Sequence, residues 1–292
     1  MATVKRTIFV LAVSMAIGSL LALIFEFHFT YHPLQEYLIK EKPHWITYAR
    51  WLIGRDIYQI REDSSVPQIQ VVQESDYLTS EFKLLCVVMI HKEHLIHQGH
   101  NIQATWGRHC NHMIFHSNKN YDNLPVISNS GDPKSWENFR NVINTISQSY
   151  SQYKWVVFVD EDTYLIPENL RYYISVLEPT IPHYLGHVVE RRSLFSGVYN
   201  TLDTGFVVNK QTLDLLQKCF KDGSSCSCPA PSSGGCDISL GSCLKLLGVE
   251  PKDTRDHLGR ARFLPFTPEE HLTDSIRWTF TSWKNSFYPA KN

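Results

Sequence analysis

The chain has 292 residues, of which 43% are hydrophobic, 20% charged and 12% aromatic. That apolar content supplies a sizeable core and excludes wholesale disorder. With 28 basic against 29 acidic residues the net charge is −1, which excludes a nucleic-acid binder held by a general basic field but leaves room for a local anion site.

Lys5 and Arg6 precede an uncharged stretch from Thr7 to Phe25, closed by Glu26 and His28. A helix over 7–25 is just long enough to cross about 30 Å of hydrocarbon. The basic flank keeps residues 1–6 in the cytosol and predicts a single-pass type II signal-anchor with a lumenal remainder. A cleaved signal peptide is the alternative. The apolar run exceeds the usual signal length, however, and no small-x-small site follows it. Residues 26–80, polar and weakly periodic, read as a lumenal stem, or alternatively as an ordered extension of the domain. The domain itself is expected over 81–292.

Leu84 to Ile90 is a short apolar run expected to be a buried strand. His94 to Gly107 has helical spacing, and Met113 to Phe115 reads as a strand. Ser135 to Tyr153 is the clearest helix, with Trp136, Phe139, Val142, Ile143, Ile146 and Tyr150 on one face. Lys154 to Val159 is the clearest strand. Further helices are predicted at 169–177, 210–219 and 238–247, and further strands at Tyr184–Gly186 and Thr204–Asn209. Strands alternating with helices predict an α/β domain with a mostly parallel central sheet. There is no internal repeat, P-loop or G-x-G-x-x-G.

All seven cysteines (86, 110, 219, 226, 228, 236, 243) lie in the part placed in the lumen, where oxidising conditions favour disulfides. Zinc is the alternative for the 219–243 cluster, but Cys226-Ser-Cys228 lacks the spacing of a metal knuckle. Cys86 with Cys110 is the simplest pair, because the other five cluster together. An odd number leaves one thiol free or joined to another chain. No N-x-S/T sequon is present, so no N-linked glycan is expected.

Trp155-Val-Val-Phe-Val-Asp160-Glu161-Asp162 runs from a buried strand into three carboxylates. Ligands of open parallel sheets bind at the carboxyl ends of strands. Adjacent carboxylates repel unless a cation is present, and hard ions such as Mn²⁺ or Mg²⁺ suit them, with phosphate oxygens filling the open positions. Asp160 and Asp162 thus form a D-x-D pattern expected to hold a metal and a nucleoside diphosphate. The alternative is a solvated turn without a metal.

Several ordered blocks resemble the core 1 β1,3-galactosyltransferases, inverting enzymes related to Fringe. They are Lys83-Leu-Leu-Cys86, Ala104-Thr-Trp106-Gly-Arg-His-Cys110, Trp155 to Arg171, Tyr184-Leu-Gly186, and Cys236-Asp237-Ile-Ser-Leu-Gly241-Ser-Cys243. Asp253-Thr-Arg255-Asp, Phe263 to Leu272 and Trp283 to Pro289 extend the likeness. It implies a GT-A fold, Golgi residence, Mn²⁺, UDP-galactose as donor and O-linked GalNAc on a glycoprotein as acceptor. It also implies that a homodimer can form. By position, Asp160, Asp162 and His271 match metal ligands, and Asp160, Glu161, Trp106 and Tyr184 match the nucleotide-sugar side. Asp237 matches the catalytic base, and Trp283 and Tyr288 match acceptor-binding aromatics. Read without the resemblance, Asp237 is a helix N-cap, His271 a surface histidine and the aromatics core residues. Three positions depart from the family pattern: Cys236 replaces a glutamate before the base, Asp203 replaces a glycine, and Leu264 replaces a histidine.

Overall fold

The structure is a computed structural model that describes Ser19 and residues 59–60, 69–70, 74–191, 197–222, 235–272 and 285–290. The stretch 7–25, Trp278 and Trp283 lie outside the described residues apart from Ser19. Among the described residues no helix is long and apolar enough to cross a membrane. The chain divides into units 1–69 and 70–292. The described residues of the first are Ser19, Gln59, Ile60 and Ile69.

The second unit contains α1 (Glu74–Glu81), β1 (Leu84–Met89), α2 (Lys92–Leu95), α3 (His97–Ala104), β2 (His112–Ser117) and β3 (Val126–Ser128). Then come α4 (Trp136–Ser149), β4 (Trp155–Asp160), α5 (Pro167–Ile174), β5 (Tyr184–Gly186), β6 (Val188–Arg191) and β7 (Gly197–Asn200). The last elements are β8 (Phe206–Asn209), α6 (Lys210–Asp222), α7 (Cys236–Leu246) and α8 (Pro268–Leu272). This unit begins before the boundary expected at 81. Helix α1 packs on α5, and its Thr79 carbonyl accepts from Asn111 Nδ2 at 2.9 Å.

The six-stranded sheet has the order β3-β2-β1-β4-β8-β5. Neighbours from β3 to β4 run parallel, and β8 is antiparallel to both β4 and β5. The sheet is therefore mostly parallel, as expected, with one strand reversed. Side chains alternate across its two faces. Leu85, Val87, Val156, Phe158, Phe206 and Val208 meet Phe139, Ile143, Leu216 and Leu240 of α4, α6 and α7. Leu84, Cys86, Val88, Val157, Val159 and Val207 meet Ile102, Leu170 and Ile174 of α3 and α5. Both faces are covered, so the strands read as nearly unbroken apolar runs.

Helix α4 starts where Ser135, in extended backbone, accepts the Asn138 N–H on its hydroxyl at 3.3 Å. The helix predicted from His94 to Gly107 is broken into α2, α3 and a 3₁₀ turn at Trp106–His109. Cys86 and Cys110 form a disulfide across a Cα separation of 6.2 Å, tying β1 to the residue after that turn. Cys219 and Cys243 are also disulfide-bonded, and Cys236 is a buried free thiol.

Candidate active site

Strand β1 leads to β2 on one side of the sheet and has β4 on the other, so the strand order reverses between β1 and β4. Ligand crevices form at such a switch point, beyond the carboxyl ends of the strands. Met89 stands opposite Asp160 in the β1–β4 register, which brings the residues after β1 beside the acidic triplet.

Three acids in succession have three different surroundings. Asp160 Oδ2 accepts from Lys134 Nζ at 2.8 Å, and its Oδ1 accepts the Glu161 N–H at 2.6 Å. Burial pushes the Asp160 carboxyl above its ordinary range, outweighing the lysine beside it. Lys134 is itself pulled down by burial, but Asp160, Glu161 and Asp203 outweigh this and hold it above its usual value. Burial dominates the carboxyl and the surrounding acids dominate the lysine, so both partners shift upward.

Glu161 is 7% exposed. Its Oε2 accepts the His91 N–H at 2.7 Å, and its Oε1 faces Nδ1 of both His91 and His94 at 3.0 Å. Burial alone would raise its pKa, but the bonds from His91 and His94, with Lys134 nearby, pull it below the usual range. An ionised carboxylate only accepts, so both imidazoles carry a proton on Nδ1. Glu161 therefore clamps the segment after β1 to the end of β4. Asp162 is exposed and takes a 3.3 Å bond from Gln98 Nε2.

Asp237 is the second residue of α7, inside the helix, and Gly235 takes the N-cap position. Its Oδ1 accepts the Ile238 N–H at 2.8 Å, and its Oδ2 accepts the Leu202 N–H at 3.2 Å. Burial pushes its carboxyl up against these donors, and Asp203 adds to the rise. One residue touches both Asp160 and the start of the helix that carries Asp237. Lys134 holds Asp160 through its ammonium, and its carbonyl accepts the Cys236 N–H at 3.2 Å, at the start of the helix carrying Asp237.

The residues expected to act together are only partly gathered. Among the described residues no group of three or more His, Cys, Asp or Glu side chains forms a metal-holding cluster, so His271 does not join Asp160 and Asp162 in one. Its ring lies 5.5 Å from that of Phe266, and burial lowers its pKa. The two aspartates still suit a hard divalent ion. One or two protein carboxylates suffice when phosphate and water oxygens complete the shell, and the ammonium on Asp160 already marks that oxygen as a cation acceptor. Tyr184 is fully buried, and its hydroxyl bonds the backbone N–H and carbonyl of Asn200 at 2.9 and 3.3 Å. It packs on Phe206 within the core instead of lining a cleft. Trp106, 4% exposed, belongs to the core on the other face. It borders a groove of about 410 Å³ shared with Thr105, Arg108, Tyr164 and Ile166, and none of the site's acids line that groove. Tyr288 lies 5.5 Å beneath Arg255, which pairs with Asp253 at 2.7 Å and donates to the Pro289 carbonyl.

Sequence reasoning missed Lys134, His91, His94 and Gln98 at this rim. The signal for His91 and His94 was their position directly after a strand at a switch point. Lys134 had the weaker signal of standing in the Asp-Pro-Lys-Ser turn that opens α4.

No protein-family model matches the chain. It is 28% identical over 243 residues to the glycoprotein-N-acetylgalactosamine 3-beta-galactosyltransferase 1 of Xenopus laevis. That match covers 81% of this chain and 64% of the relative, so the chain spans less than two thirds of the relative's length. A 4-diphosphocytidyl-2C-methyl-D-erythritol synthase from Anaerococcus prevotii DSM 20548 gives a TM-score of 0.35 at 6% identity, over 68% of this chain and 97% of that one. A second synthase of the same name gives 0.36 at 10%, over 66% and 98%. Likenesses at such TM-scores carry no weight for fold or chemistry. Over most of its length the chain is therefore similar in sequence to this galactosyltransferase, in keeping with the ordered blocks seen between Lys83 and Pro289.

Proposed function

We propose that the chain is an inverting β1,3-glycosyltransferase that moves galactose from UDP-galactose to the 3-hydroxyl of GalNAc O-linked to Ser or Thr. The observation that supports this reading is Lys134, whose ammonium meets Asp160 at the end of β4 while its carbonyl accepts the N–H of Cys236, the residue before Asp237. The acceptor oxygen attacks the anomeric carbon from the face opposite the departing UDP, and Asp237 takes its proton. A carboxylate whose proton affinity is raised by burial is a better base than an exposed one. The Leu202 and Ile238 N–H groups fix its orientation. Asp160 and Asp162 would hold the divalent ion, of the Mn²⁺ class, which supplies positive charge against the leaving diphosphate. Glu161 keeps the ends of β1 and β4 together around that position. We extend the proposal to a type II anchor at 7–25, residence in the Golgi membrane with the domain lumenal, and association as a homodimer.

A second reading, the same reaction with another donor sugar, is favoured by Asp203, an exposed carboxylate whose charge reaches both Lys134 and Asp237. A screen of UDP-galactose, UDP-GlcNAc and UDP-glucuronate on a GalNAc-Ser peptide tests both. Transfer from UDP-galactose alone supports the first, and transfer from another donor moves the assignment to the second. No transfer from any of the three, with Mn²⁺ present, would remove the enzymatic reading.

A further inference from the structure

Lys134 is anchored at three points. Its N–H donates to Asp132 Oδ1 at 2.9 Å, its carbonyl accepts from Cys236, and its ammonium lies 2.8 Å from Asp160 Oδ2. The ion pair is sheltered, with side-chain exposures of 26% and 14%. Asp160 Oδ1 already serves the Glu161 N–H, which leaves Oδ2 as the oxygen turned toward a cation. An ammonium and a divalent ion on the same oxygen repel each other strongly in a partly desolvated site. The four-carbon lysine stem lets the charge leave while the backbone stays in place. Asp203 offers that charge a second carboxylate within electrostatic reach.

We propose that Lys134 is a resident counter-cation that competes with the divalent metal for Asp160 and thereby makes metal binding depend on the nucleoside diphosphate. The inference rests on Asp160 and Asp162 being the metal pair. Without donor, the lysine satisfies Asp160 and metal affinity is low. The negative charge of the diphosphate offsets the repulsion between the two cations, so metal and nucleotide strengthen each other's binding by the same factor. In this role Lys134 positions and balances charge, and does not react.

The test is Mn²⁺ binding by the full chain, read from the electron paramagnetic resonance signal of free Mn²⁺ with and without UDP. Lys134→Met is expected to bind Mn²⁺ alone about tenfold more tightly than wild type, with a smaller gain on adding UDP. Lys134→Arg, which keeps the charge, should behave like wild type. Lys134→Gln provides a second neutral variant should Lys134→Met fold poorly. Equal or weaker Mn²⁺ affinity in the neutral variants overturns the inference and leaves the proposed reaction standing. Absence of Mn²⁺ binding in every protein, with or without UDP, overturns the inference together with the metal pair. Failure of sugar transfer in the donor screen leaves this readout unaffected.

Discussion

The Asp237 carboxylate receives two backbone N–H groups and keeps its proton affinity raised by burial. Asp237→Asn preserves most of that shape and removes the basicity. The expected outcome is unchanged UDP affinity by calorimetry and a transfer rate reduced about 10²–10⁴-fold; wild-type turnover would remove Asp237 from its assigned role. Tyr184 shows a different fate for a polar side chain. Its hydroxyl serves Asn200 inside the core, and Tyr184→Phe leaves the buried Asn200 N–H without that acceptor. The expected loss is about 1–3 kcal/mol in urea unfolding. Sequence made the acids legible because a buried strand ending in carboxylates is a recognisable pattern. It set Glu161 on the nucleotide-sugar side and gave no sign of the bonds to His91 and His94. Glu161 looks like Asp160 on paper, and only the histidines folded against it make it a clamp.

At the scale of elements, α7 is placed by a close approach. A Cβ on Gly241 would stand 2.4 Å from Tyr199 Cβ and 3.2 Å from the Val198 carbonyl, so the helix can lie against β7 only with glycine there. The Leu-Gly-x-Cys block seen in the sequence thus has a packing cause, and this packing sets where Asp237 projects. Gly205 matters for a different reason. It sits at φ 72° and ψ 157°, a conformation open essentially to glycine, and a Cβ there would meet Val159 Cγ1 at 2.9 Å. Gly205→Ala should cost about 1–3 kcal/mol and disturb the turn whose Leu202 N–H holds Asp237. A lower urea midpoint and weaker transfer would together show that linkage. Helix α4 was legible because six apolar residues repeat at helical spacing. The ribbon β6–β7 and the short β3 were not, because strands of three or four residues leave almost no periodic signal. The break between α2 and α3 went unseen because it needs no glycine or proline.

At the scale of the whole molecule, the core takes in histidines without charge. His116 and His183 are 0% and 1% exposed, and burial lowers each pKa to about 4. The unfolded chain protonates them near their ordinary value of about 6.5. Between these values the unfolded state binds more protons, so stability falls as pH drops from about 6.5 through about 4. Glu161, held below its usual range, adds a loss in the same direction at still lower pH. The urea midpoint should decline steadily from pH 7 to pH 5; a flat profile would contradict neutral burial of the pair. The α/β class and the mostly parallel sheet followed from alternating strand and helix patterns. The reversal of β8 did not, since a run of four apolar residues carries no sign of its direction. That reversal also bears on how the chain is made. β8 lies between β4 and β5 although it follows both in sequence. A nascent chain released or stalled before Phe206 exposes the flank of β4 as an open template for another polypeptide. Truncations ending between Asp160 and Gly205 should therefore form inclusion bodies, whereas fragments that reach past Asn209 can close the flank.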